Sequence, residues 1–180
     1  MQKRLILDSR LLEITISRLC QQLIENHGDF SDSVILGLQP RGVLLAERIK
    51  LNLESTLGRA IDLGYLDTTF HRDDFRRREV PKKANQTKIH FLIEDKNVVL
   101  VDDVLFTGRS IRSALDAILA FGRPRKVELL VLVDRKYSRH LPIEPNYVGK
   151  SVDTMDSQMV LVEWEGKEAK NNRIWLINKE

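Results

Sequence analysis

Apolar positions along the chain follow two rhythms. Leu12, Ile16, Leu19 and Leu23 recur every three or four residues, with Cys20 on the same stripe, and predict a helix. Asp8 or Ser9 can cap it, and Gly28 can stop it. Leu45, Ile49 and Leu53 predict a second helix. Ile111, Leu115, Ile118 and Leu119 predict a third, ended by Gly122 and Pro124. Short apolar runs stand between them: Leu5–Leu7, Val34–Leu38, Val98–Val101 and Val127–Val133. Such runs do not alternate with polar residues, which predicts strands buried on both faces, as in a parallel sheet. Ile61 to Thr69 reads as a further strand. Residues 71–88 are polar, basic and aperiodic, and are expected to form a loop or flexible hairpin. From about residue 146 the chain is strand-rich, with Met159–Val162 and Ile174–Ile177 as candidates for an accessory sheet or edge structure. The βαβ pattern over residues 98–133 makes the expected class α/β.

Composition narrows the possibilities. At 180 residues, without repeat or linker, a single domain over 1–180 is expected. An apolar fraction of 42% excludes a wholly disordered chain. No apolar run approaches the ~20 residues of a membrane span. The first apolar run is too short for a secretory signal and is broken by Asp8, so a cytoplasmic protein is expected. The single cysteine, Cys20, excludes an internal disulfide framework and a cysteine-based zinc site. Lys and Arg number 29 against 26 Asp and Glu, a net charge of +3. That small excess is uneven: residues 71–88 carry seven basic and three acidic residues, and residues 122–140 carry six and two. The expectation is a positive field around an anionic substrate.

Candidate chemistry concentrates in Val98-Val99-Leu100-Val101-Asp102-Asp103-Val104-Leu105-Phe106-Thr107-Gly108-Arg109-Ser110. Ligands of open α/β sheets bind at the carboxyl ends of the strands. Two acids stand there, followed by a hydroxyl- and glycine-bearing loop that opens a helix. A helix N-terminus favours phosphate, and Gly108 lets the backbone come close. The acids suit acceptor-seeking sugar hydroxyls or a divalent cation. Together they point to a ribose 5-phosphate ligand. Neither a G-x-G-x-x-G fingerprint nor a P-loop G-K-[ST] occurs.

The thirteen-residue run resembles the phosphoribosyl-diphosphate (PRPP) signature of type I phosphoribosyltransferases. Leu38-Gln39-Pro40-Arg41-Gly42, Asp67 to Asp74, and Val131-Leu132-Val133-Asp134-Arg135 followed by Leu141-Pro142-Ile143 extend the likeness over roughly residues 4–165. These segments resemble the bifunctional pyrimidine operon attenuator/uracil phosphoribosyltransferase (PyrR) family. The resemblance implies a central, mostly parallel sheet flanked by helices, with a small hood and C-terminal strands. It implies uracil and PRPP as substrates, UMP and diphosphate as products, and Mg²⁺ as cofactor. It also implies pyrimidine-operon leader RNA as a second partner, no membrane partner, and a homo-oligomer, dimer or higher.

By motif position, Thr107, Gly108, Arg109 and Ser110 would hold the 5-phosphate, in a substrate-binding run that includes Val104, Leu105 and Phe106. Asp102 and Asp103 would meet the ribose hydroxyls, directly or through metal-bound water. Pro40, Arg41 and Gly42 match the diphosphate loop. Pro40 stands where relatives more often have a small hydroxyl residue, and an X–Pro bond there has a cis option. Arg72, in the family's mobile loop at 71–88, would contact diphosphate. The implied catalytic set is Asp103, Arg72 and Arg41. Asp134, Arg135 and Val160 would lie at the base. Arg10, Arg18 and Lys150 match positions for RNA contact, whereas Glu144 replaces the arginine usual in RNA-binding members. The Arg139–His140 region is one residue longer than the family pattern, and the tail 164–180 diverges from it. Trp164 and Trp175 are expected to be packing residues. Three readings remain open: an active uracil enzyme, an RNA-binding attenuator with little catalysis, and a purine-type phosphoribosyltransferase.

Overall fold

The computed structural model describes residues 3–69, 85–155, 157–166 and 170–178. The element order is β1 (Lys3–Leu7), α1 (Ser9–His27), β2 (Ser33–Leu38), α2 (Gly42–Leu57), β3 (Leu63–Leu66), β4 (Asn97–Leu105), α3 (Arg109–Ile118), β5 (Lys126–Lys136), β6 (Tyr147–Asp153), β7 (Gln158–Glu163) and β8 (Arg173–Asn178). Five strands form a sheet in the order β3-β2-β4-β5-β6, every pair parallel. Its central strands are the apolar runs predicted for burial on both faces. One core packs α1 and α2 against Ile35, Val99, Leu130 and Leu132. The other packs α3 against Val34, Leu36, Leu100 and Val131.

Local chemistry sets the helix ends. Asp8 caps α1, accepting from the Leu11 N–H at 2.8 Å, and Gly28 closes the helix with its N–H on the Ile24 carbonyl. Cys20 is buried and its thiol is pushed up to about 12 by burial, so it packs as a small apolar group. In α3 the buried face differs from the predicted one. Ile111, Ala114, Ala117 and Ile118 face the sheet, while Leu115 and Leu119 are exposed. Counting large apolar residues overlooks a buried face that includes alanines.

The carboxyl edge also differs from the sequence expectation. β4 continues through Asp102 and Asp103 to Leu105, because β5 runs on to Lys136 and keeps pairing with it, Asp102 opposite Val131 and Leu105 opposite Asp134. Ile61–Thr69 contains a strand of only four residues, Leu63–Leu66. Most of the expected 71–88 loop falls outside the described residues, though Lys88 exchanges backbone hydrogen bonds with Tyr65, both at 2.8 Å.

The remaining strands form an antiparallel sheet, β1-β8-β7. The tail that diverges in sequence supplies its central strand, β8. Trp164 is buried in the core shared with α1 and α2, and Trp175 donates from its ring N–H to Glu163 at 2.8 Å. Trp164 is the packing residue expected, whereas Trp175 is half-buried and held by Glu163.

Candidate active site

Two loops flank the carboxyl end of β4. The first, Gln39–Arg41, leaves β2 through a cis Gln39–Pro40 bond and enters α2 at Gly42. Gly42 must lack a side chain: a Cβ there would lie 2.4 Å from the Val101 carbonyl oxygen and 3.0 Å from Asp102 Cα. The second loop, Phe106–Gly108, enters α3 through Gly108 at φ +88, in the left-handed region that glycine tolerates. Neither N-cap residue, Arg41 or Gly108, supplies a side-chain cap, and at α3 Thr107 Oγ1 accepts from the Arg109 N–H at 3.4 Å. The two helix N-termini therefore bracket the aspartate pair, with their dipoles' positive ends at one edge of the sheet.

Arg41 ties the first loop to both neighbours. Its Nε donates to Asp103 Oδ2 at 2.8 Å, and its Nη2 donates to the Val162 carbonyl in β7. Burial raises the Asp103 carboxyl above the usual carboxylate range, opposed by the Arg41 hydrogen bond and charge. Asp102 rises well above that range, first through desolvation and then through the charge of Asp103 beside it. Asp102 is half-buried, and its Oδ1 accepts from the Asp103 N–H at 2.9 Å. Two acids held this close do not both ionise readily without a cation or a set of donors between them. Among the described residues no cluster of three or more His, Cys, Asp or Glu side chains could hold a metal alone. A two-carboxylate donor set still fits Mg²⁺, which binds through one or two carboxylates and completes its shell with substrate oxygens and water.

The other expected positions divide. Leu105 is buried among the α3 core residues, so only its backbone can meet a ligand, and Val104 packs toward the opposite core. Asp134 has no solvent exposure and pairs with Lys136 and Arg139. Arg135 is a strut: its guanidinium lies 3.8 Å from the Phe106 ring centroid and donates to Thr154 Oγ1 at 3.1 Å and the Gln158 carbonyl at 3.0 Å. Those donors join the end of β5 to the entry of the antiparallel sheet. Val160 sits in β7, partly buried against the larger core. Arg72 lies outside the described residues. Of the RNA candidates, Arg10 and Arg18 are exposed on α1, about 12 Å apart along its axis. Arg18 donates to the carbonyls of Val148 and Gly149 at 3.2 and 2.6 Å. Gly149 faces Thr15 of α1, so strand alternation turns the exposed Lys150 to the opposite face of β6.

Residues 4–166 match the phosphoribosyl transferase domain. The chain is 45% identical to Bifunctional protein PyrR of Desulfosudis oleivorans, over 94% of this chain and 96% of that one. It is 39% identical to Bifunctional protein PyrR of Clostridioides difficile, over 93% and 96%. The chain belongs to the PyrR family of phosphoribosyltransferases. In fold it also resembles the HGPRT-ase from Leishmania tarentolae solved in complex with GMP, with TM-score 0.72, 12% identity, and coverage of 98% and 97%. At that identity the likeness concerns fold alone. PyrR membership separates this chain from a purine-type reading.

Sequence reasoning missed Arg139 and His140, which touch the Phe106–Gly108 loop from outside. Their only sequence signal was the departure in length from the family pattern. Among the described residues, no helix is long and apolar enough to cross a membrane.

Proposed function

We propose that this chain joins uracil to PRPP, giving UMP and diphosphate, and that it also binds pyrimidine-operon leader RNA. The supporting observation is the aspartate pair bracketed by two helix-opening loops at the carboxyl edge of a parallel sheet. PRPP carries a 5-phosphate, two ribose hydroxyls and a diphosphate, and the bracket offers complementary groups for each. Thr107 to Ser110 bind the 5-phosphate through hydroxyls, backbone N–H groups and the helix dipole. Asp102 and Asp103 accept from the ribose hydroxyls and stabilise positive charge as it grows on the ring. Arg41 shifts from Asp103 toward the departing diphosphate, whose negative charge increases as the bond breaks. Asp102 and Asp103 would also hold Mg²⁺, which supplies charge for the diphosphate when bound. Backbone groups near Asp134 orient the uracil edge, and closeness of base and sugar supplies much of the rate.

RNA binding rests on the family's bifunctional naming and on exposed Arg10, Arg18 and Lys150. Assembly into a dimer or larger homo-oligomer is part of the same proposal.

A base-panel assay with PRPP and Mg²⁺ tests the enzyme. Uracil should yield UMP, and absence of product from uracil sinks the reading. Asp103→Asn should reduce turnover by at least about a hundredfold, and survival of turnover would refute the ribose assignment. Gel-shift titration with leader RNA, with and without uridine nucleotides, tests the second role. No shift at any concentration would remove it.

A further inference from the structure

Two consecutive carbonyls of the phosphate loop are held from outside by the segment that follows β5. Arg139 donates from Nη1 to the Phe106 carbonyl and from Nη2 to Asp134 Oδ1. The His140 N–H donates to the Thr107 carbonyl at 3.0 Å. Leu141 and Ile143 close the same side: a Cβ at Gly108 would sit 3.2 Å from Ile143 Cδ1 and 3.5 Å from Leu141 Cβ. Asp134 is itself fully buried. Its second oxygen lies 2.8 Å from Lys136 Nζ.

In a trans peptide the carbonyl and the following N–H point in opposite directions. Drawing the Phe106 and Thr107 carbonyls toward residues 139–140 therefore turns the Thr107 and Gly108 N–H groups away from that segment. Those groups lie at the mouth of α3, where the proposed function seats the 5-phosphate. Asp134 is shared between Arg139 and Lys136, so the cluster keeps a net positive charge, and what Arg139 adds beyond that charge is its hold on the Phe106 carbonyl. Its planar fork spans a carbonyl and a carboxylate together, which a lysine's single ammonium does not reproduce.

We propose that Arg139 is a positioning residue for PRPP: bridging the Phe106 carbonyl to Asp134, it aims the amides of the phosphate loop at the 5-phosphate. The inference rests on the reading of that loop as the 5-phosphate site. It assigns the site an outer support made by the 139–143 segment.

The test compares wild type with Arg139→Ala and Arg139→Lys by steady-state kinetics and by calorimetric titration of ribose 5-phosphate, which carries no base. Both variants should raise the KM for PRPP about tenfold or more. Both should leave kcat within about threefold and weaken ribose 5-phosphate to the same extent as PRPP. Arg139→Lys keeps the charge and a partner for Asp134, so it guards against an alanine variant that fails to fold. Full recovery by lysine would assign the effect to charge alone and overturn the proposal. An unchanged KM in both variants, or a loss confined to kcat, overturns it as well. A wild-type chain inactive on uracil would sink the uracil reading, while the ribose 5-phosphate titration would still decide the role of Arg139.

Discussion

At the scale of single residues, Gly42 and the aspartate pair carry the most consequence. Gly42→Ala drives a Cβ into backbone of β4 rather than into a side chain that could move aside. The first turn of α2 must then retreat from Asp102, and Arg41 with it. The expected cost is about 1–3 kcal/mol of stability together with loss of measurable turnover, read by urea denaturation and by PRPP kinetics. Asp102 makes an opposite prediction for stability. Its folded carboxyl holds a proton at a pH where the unfolded chain, titrating near the ordinary 3.8, has lost it. The stabilising contribution is present below that value and disappears as pH rises through the raised one. Asp102→Asn should therefore raise the melting temperature at neutral pH while abolishing turnover; an unchanged or lowered melting temperature refutes the account.

At the scale of elements, the far edge of the sheet holds a second buried polar group with the reverse pH sign. His27, ending α1, has Nε2 2.8 Å from Glu128 Oε2 in β5 and Nδ1 2.9 Å from Ser33 Oγ in β2. Tyr147 of β6 donates to the same Glu128, and Lys126 pairs with its other oxygen. Burial lowers the His27 value below 6.5, against the raising pull of Glu128. As pH falls, the unfolded chain takes up that proton first. His27's contribution is complete above about 6.5 and is lost as pH drops toward the folded value. Unfolding free energy should decline as pH falls below about 6.5, and His27→Gln should flatten that decline. An undiminished slope in the variant would assign the acid sensitivity elsewhere. Most element identities were legible because each fully apolar run or four-residue stripe admits one burial solution. Element ends were not. β4 reaches Leu105 because β5 extends beside it, and the packing of α3 on the sheet buries Ala114 and Ala117 while leaving Leu115 and Leu119 exposed. Both are decided by neighbours distant in sequence.

Across the whole molecule, the two sheets share one core. Val162, Trp164, Ile174 and Leu176 from the antiparallel sheet pack in the same cluster as Leu12, Leu19, Leu45 and Ile49. Both tryptophans belong to that smaller sheet region, so fluorescence reports on it while far-UV circular dichroism reports on the whole chain. The two probes should give one coincident urea transition, and separated midpoints would show that the sheets unfold independently. Charge also reads differently at this scale. The basic segment 122–140 is divided by the length of β5. Arg125 and Lys126 pair with Asp95 and Glu128 at one end. Arg135, Lys136 and Arg139 stand at the other end, about 30 Å away, and brace Asp134, Phe106 and Thr154. The expected field around the site is thus partly a set of structural ties.

The sequence alone determined the α/β class, the PRPP signature and the family, because each is written in contiguous residues whose types constrain local backbone and local chemistry. Only tertiary structure decided that the divergent tail becomes the middle strand of the second sheet and that Arg135 is a strut. It alone decided that Arg139 reaches back to Phe106, and that Arg41 joins Asp103 to Val162. Those contacts connect residues tens of positions apart, so no local pattern encodes them. They follow from which strand ends come to lie at one edge of the parallel sheet.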